Sequence, residues 1–307
     1  MYTTIVTGYN GSDQSEDALA LACVLARISK ARLIVAFAYA GKSLPVKIGS
    51  AAIGTTMRDE AQVVLDQALK RVPDDVSASA LKLPHPSPAH ALNDLVEREQ
   101  ADLLVLGSSS RGPIGRVLAG GMATRLLHGL PCAVAVAPAG FAQDERHAIE
   151  TIGACYDGSA ESELALGAAI SLCEATDAEL RVLTVLYPPP HSYQSHPGVY
   201  VPDFDPTTGL GEDRIETALS RVPEKIKARG LARMGSPAKE LAHEAQAEEV
   251  DLLVTGSRAY GPVGRVLLGG VATKLMRLAP CPLLVVPRSA SHSDPGSERQ
   301  VAATSVD

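Results

Sequence analysis

The chain has 307 residues, a formal net charge of −7, 46% hydrophobic and 21% charged residues, and no tryptophan. That length suits two soluble domains with aliphatic cores, and the composition is that of an ordinary globular protein. The acidic balance argues against a nucleic-acid binder, which carries a basic stripe, but leaves small anions open because loops set their own field.

In chain order, short apolar runs fall at residues 3–7, 33–38, 78–83, 103–106 and 133–137. Bounded by Gly, Pro and Asp, they read as strands buried on both faces. Helical periodicity fills 15–29 and 57–71, and Ser87 followed by Pro88 marks a further helix start. The order then recurs, with runs at 151–155, 180–186, 228–234, 252–255 and 283–286, a helix start at Ser236-Pro237 and a helix near 271–277. Such alternation predicts an α/β protein of two tandem open five-stranded parallel sheets with helices on both faces, and the order 3-2-1-4-5 is taken for each as the working topology. The domains are placed at 1–140 and 148–288. The tail 289–307 is expected to be disordered, and the Pro-rich stretch 188–209 to cover the second crevice.

The recurrence is literal. DLLVLGSSSRGPIGRVLAGGMATRLLHGLPCAVAVAP, from Asp102, returns from Asp251 as DLLVTGSRAYGPVGRVLLGGVATKLMRLAPCPLLVVP, with 21 of 37 positions identical. TIVTGYNGSDQSEDAL from Thr4 returns as TIGACYDGSAESELAL from Thr151, with 9 of 16 identical. In a sheet ordered 3-2-1-4-5 the winding reverses between the first and fourth strands, and ligands bind beyond the strand ends there. The polar signatures YDGS and GSRAYGPVGRVLLGG follow those two strands. A strand-end Asp can accept from ribose hydroxyls, and a glycine-rich loop lets backbone N–H groups approach phosphate. The same glycines could equally serve only to pack a helix against the sheet.

These residues resemble the universal stress protein family, in two copies covering nearly all but the tail. The resemblance implies a Rossmann-like domain that in many members binds ATP through G-x2-G-x9-G-S/T and an Asp at the end of the first strand. Carried over by position, the second site comprises Asp157, Gly256, Ala259, Gly269 and Gly270, and the first Asn10, Gly107, Ser110, Gly120 and Gly121. Ala259 and Ser110 stand where the family has its second glycine, Gly270 and Gly121 where it has Ser or Thr, and Asn10 where it has Asp. Because a charged acceptor outbids a neutral one, the second half is expected to bind the nucleotide more tightly. The resemblance also implies that the fifth strands meet, making an internal pseudo-dimer, and a homodimer of chains is open.

The other candidates are weaker. Arg116, Arg258 and Arg265 are read as solvated or ion-paired, and His191 and His196 as loop residues without a metal signature. Neither G-x-x-x-x-G-K-S/T nor G-x-S-x-G occurs, so no enzymatic activity is expected. Five cysteines without CxxC spacing read as core residues of a reducing compartment, and the N-terminus shows no secretion signal, so a cytoplasmic location is expected. Two function classes follow: a regulatory adenine-nucleotide binder, or an interaction module that has lost ATP.

Overall fold

A computed structural model describes residues 1–39, 50–108, 130–144, 148–187, 208–257 and 269–287, with side chains for all of these except 50–56 and 208. The strands are β1 (Thr4–Gly8), β2 (Arg32–Tyr39), β3 (Ala78–Pro84), β4 (Leu103–Gly107) and β5 (Ala133–Ala137) in the first half. The second half supplies β6 (Thr151–Cys155), β7 (Glu179–Leu186), β8 (Ala228–Met234), β9 (Leu252–Gly256) and β10 (Leu283–Val286). The helices among the described residues are α1 (Asp13–Ser29), α2 (Ser50–Leu69), α3 (Pro88–Glu99), α4 (Ala160–Thr176), α5 (Thr208–Leu219), α6 (Pro237–Ala247) and α7 (Gly270–Leu278).

Each half has the expected order, and the two five-stranded sheets join into one sheet of ten strands, β3-β2-β1-β4-β5-β10-β9-β6-β7-β8. Pairing within each half is parallel. At the seam β10 pairs β5 antiparallel, Leu283 with Val136, Leu284 with Ala135 and Val285 with Val134. The fifth strands are therefore interior, and the unpaired backbone edges that they would expose alone are satisfied by each other. Antiparallel pairing also puts the two candidate crevices on opposite edges of the sheet.

Alternation along the strands sends side chains to both faces, and both are buried. Ile5, Val35 and Val105 belong to the layer that α1 and α2 cover in the first half and that continues under α4 and α5 in the second. Val6, Ile34 and Leu104 belong to the opposite layer, which α3 covers in the first half and which continues under α6 and α7 in the second. The outer strand β8 is only partly buried, which explains its weak apolar pattern. Helix α2 begins seven residues before the expected start at 57. Ser87 caps α3 and accepts from His90 N–H, whereas Ser236 stands at the N-cap of α6 without a side-chain bond.

Asp102 and Asp251 open the long repeat, and the structure gives them one duty. Asp102 Oδ2 accepts from the N–H groups of Thr3 (2.7 Å) and Thr4 (2.9 Å), and Asp251 Oδ2 from those of Glu150 and Thr151 (both 2.8 Å). Each carboxylate thus ties the entry of the first strand to the entry of the fourth, away from the crevice.

Candidate functional site

The second crevice opens where β6 and β9 end. After Cys155 the chain turns through Tyr156-Asp157-Gly158 into α4, and Gly158 takes φ +83°, a conformation that favours glycine. The Asp157 side chain organises this turn: its Oδ1 accepts from Ser159 N–H (3.0 Å) and from the Ser159 hydroxyl (2.6 Å). Ser159 in turn caps α4, accepting from Ser162 N–H at 3.2 Å. Partial desolvation would raise the Asp157 pKa, but the bonds from Ser159 and Ser162 and the nearby Arg214 guanidinium hold it below the usual carboxylate range. It is an exposed, ionised acceptor at neutral pH.

Asn10 repeats half of this arrangement. Its Oδ1 accepts from Ser12 N–H at 3.1 Å, and Gly11 takes φ +78°. Among the described residues the first turn has no counterpart of Arg214: the nearest atom to a side chain built on Gly11 is Cγ1 of Val64, whereas on Gly158 it is Nε of Arg214 at 4.0 Å. The two turns therefore share a backbone and differ in charge.

Beneath each turn lies the same polar relay. Tyr156 OH donates to Glu163 (2.5 Å), which pairs with Arg221, and Tyr9, Glu16 and Arg71 repeat the arrangement in the first half. With Tyr9 and Tyr156 each 3% exposed, the relay supports the turn from beneath, and Tyr156 also contributes to the lining of the second crevice.

The far wall is the start of α7. Gly269 is its N-cap, with extended backbone and no side-chain cap, and the first helical bond runs from Thr273 N–H to Gly269 carbonyl. The N–H groups of Gly270, Val271 and Ala272 thus precede the helical ladder and carry the positive end of the helix dipole. Asp157, Ser159, Ser257, Gly269 and Gly270 line a common cavity of about 260 Å³. A larger one of about 820 Å³ lies at the domain seam, between Tyr2, Cys132, Ala168 and Pro287, and contains none of the expected site residues.

The glycines at the strand ends have a further cause. A Cβ on Gly107 would stand 1.9 Å from the Gln14 carbonyl oxygen, and one on Gly256 would stand 2.6 Å from that of Glu161. These residues let the first turn of α1 or α4 lie backbone-to-backbone against the sheet, so their role in packing is direct. Gly270 differs, for among the described residues nothing lies within 4 Å of its Cβ position. Gly270→Ser is accordingly expected to fold normally and gain about 0.5 kcal/mol from helix propensity, read as the urea midpoint. A loss above about 1 kcal/mol would show a demand for glycine that the geometry lacks.

Ala259, Ser110, Gly120 and Gly121 lie outside the described residues, as do Arg116, Arg258, Arg265, His191, His196, the tail and nearly all of 188–209. Two residues were not singled out from sequence, Arg214 beside the Asp157 turn and Ser257 in the crevice lining. Arg214 is one solvent-side arginine in a helix, and only its lack of a basic partner at Val64 could have drawn notice. Ser257 reads as a loop residue but is 7% exposed, and its hydroxyl has no partner.

A family model described as the universal stress protein family matches residues 1–138 and 148–287. The chain belongs to the universal stress protein family. A universal stress protein of Mycobacterium tuberculosis is 28% identical over 302 residues, covering 92% of this chain and 99% of the relative. One from Thermus aquaticus is 34% identical over 151 residues, 45% of this chain and 98% of the relative, as a single-domain match would be. A universal stress protein structure from Archaeoglobus fulgidus superimposes with a TM-score of 0.69 at 20% identity, over 93% of this chain and 98% of that one, a likeness of fold. Among the described residues of this universal stress protein, no helix is long and apolar enough to cross a membrane.

Proposed function

We propose that this universal stress protein binds an adenine nucleotide, ATP, as a regulatory ligand and not as a substrate, with the second crevice the tighter site. The observation that carries the reading is the cavity that joins an ionised strand-end carboxylate, Asp157, to the uncapped start of α7. A carboxylate suits ribose hydroxyls, and helix N–H groups suit phosphate. The first turn offers a neutral acceptor, Asn10, and an apolar neighbour, Val64. The five thiols support a reducing, cytoplasmic setting: all are buried and unpaired, and burial pushes Cys155 and Cys132 up to about 12.

One observation favours the rival class, an interaction module without ATP. The Asp157 oxygen that holds Ser159 is already doubly engaged, so turn-capping alone accounts for the residue. Calorimetric titration with ATP separates the two. Wild type is expected to show a tighter phase that Asp157→Ala weakens about tenfold or more and Asn10→Ala leaves in place. Equal effects of the two variants, or no heat with wild type, would defeat the ranking or the nucleotide reading respectively.

A further inference from the structure

In each half the strand entries lie at the far end from the crevice, and they carry charge that the fold does not explain. In the first half Arg27 stands in the last turn of α1 and pairs with both oxygens of Asp75 (2.5 and 2.9 Å), and Lys30 is the left-handed cap that follows. Cations belong there, because a helix C-terminus is the negative end of its dipole. The second half keeps the backbone and inverts the signs. Glu174 takes the place of Arg27 and pairs with Lys225 (3.0 Å), which takes the place of Asp75, and Asp177 is the left-handed cap of α4. Arg32, opposite Thr4, is matched by Glu179, opposite Thr151. Each of these two is partly neutralised, Arg32 by Glu99 and Glu179 by Arg181, and Asp74 and Glu224 are acidic in both halves. Glu174 and Asp177 therefore meet the negative end of their own helix, an arrangement that costs stability. With Glu150 and Glu179 they line a groove of about 550 Å³. Arg27, Lys30 and Asp75, like Glu174, Asp177 and Lys225, are exposed.

We propose that these two faces are complementary docking surfaces through which copies of this chain bind head to tail. The acidic entry edge of one copy's second half receives the basic entry edge of the next copy's first half. Sign inversion at four equivalent positions, Arg27/Glu174, Lys30/Asp177, Arg32/Glu179 and Asp75/Lys225, makes contact between like edges repulsive and contact between unlike edges attractive. The antiparallel seam sets the two faces on opposite edges of the sheet, so the contact is heterologous and leaves one face of each kind for a further copy. One exposed ion pair is worth little, so the set acts together and salt screens it. Neither crevice takes part, and the proposal is independent of the nucleotide reading.

Sedimentation velocity of the full chain at about 20 mM and about 500 mM salt tests this. Wild type is expected to associate at the lower salt and to lose about tenfold or more in affinity at the higher. Arg27→Glu/Lys30→Asp/Asp75→Lys gives the first edge the residues of the second, and Glu174→Arg/Asp177→Lys/Lys225→Asp does the converse. Each graft installs what the equivalent position already carries, so both are expected to keep the wild-type urea midpoint. Alone, each variant has two edges of one sign and is expected to associate about tenfold or more weakly than wild type. Mixed in equal amounts, they are expected to associate again, and the mixture decides even where a graft lowers stability. A mixture that stays monomeric, or a variant that associates alone as wild type does, would overturn the proposal. So would a wild type monomeric at low salt, or one whose association salt leaves unchanged.

Discussion

Gly107→Ala is expected to lower the unfolding free energy by about 3 kcal/mol or more, a larger loss than from Gly256→Ala. The new methyl would meet the Gln14 carbonyl oxygen at 1.9 Å, and a backbone oxygen in a capped first turn cannot swing aside as a flexible side chain can. Either α1 lifts from the sheet, opening the apolar layer under it, or β4 shifts in its pairing with β1. In the second half the clash is milder, 2.6 Å to the Glu161 carbonyl, so Gly256→Ala should fold at a cost of about 1–3 kcal/mol. That variant displaces the turn bearing Asp157, and its nucleotide affinity should fall although no ligand contact has been removed. Urea unfolding of both variants checks the order. A cost below about 1 kcal/mol for Gly107→Ala would mean that the close approach is not required.

Asp17→Ala is expected to cost about 2 kcal/mol or more. Asp17 is 2% exposed, and its two oxygens accept from the N–H groups of Gly140 (3.0 Å) and Ala142 (2.8 Å), just beyond β5. The side chain thus fastens α1 to the connection between the halves, and its loss leaves two amides without their acceptor. Burial raises the Asp17 pKa from 3.8 against the lowering effect of those amides, so the folded state favours the protonated acid. The stability from that proton is full below 3.8 and is lost as pH rises through the raised folded value. Urea midpoints from about pH 4 upward should therefore carry a downward contribution in wild type that Asp17→Ala lacks. A variant as stable as wild type at neutral pH would show that the connection needs no such anchor.

The strands were legible because each is an apolar run of the length one layer of sheet requires, and because the chain states the pattern twice. Their order was not written in the alternation, because right-handed connections are compatible with more than one order of five parallel strands. What could not be read were contacts between residues distant in sequence. Gly107 sits in a glycine-rich stretch that suggests phosphate, and its clash partner Gln14 is visible only once the helix is laid on the sheet. Asp17 gave a faint signal, an acid among the apolar residues of α1 where the second copy has Leu164. Ser257 gave none, since burial of a polar residue after a strand depends on the helix that covers it. The crevice itself was foreseeable from the winding of the sheet, and its charge difference from Asn10 and Asp157. Arg214, which deepens that difference, belongs to a helix with no motif.

The antiparallel seam between β5 and β10 has an evolutionary consequence. A homodimer built from one such domain must carry every substitution twice, so its two crevices rise and decay together. Here the partners are fused at fixed stoichiometry, and the edge strand of each is permanently supplied by the other. Selection on one crevice is thereby released from the other. Asn10 with Val64 on one edge of the sheet, and Asp157 with Arg214 on the opposite edge, are the divergence that such a fusion permits.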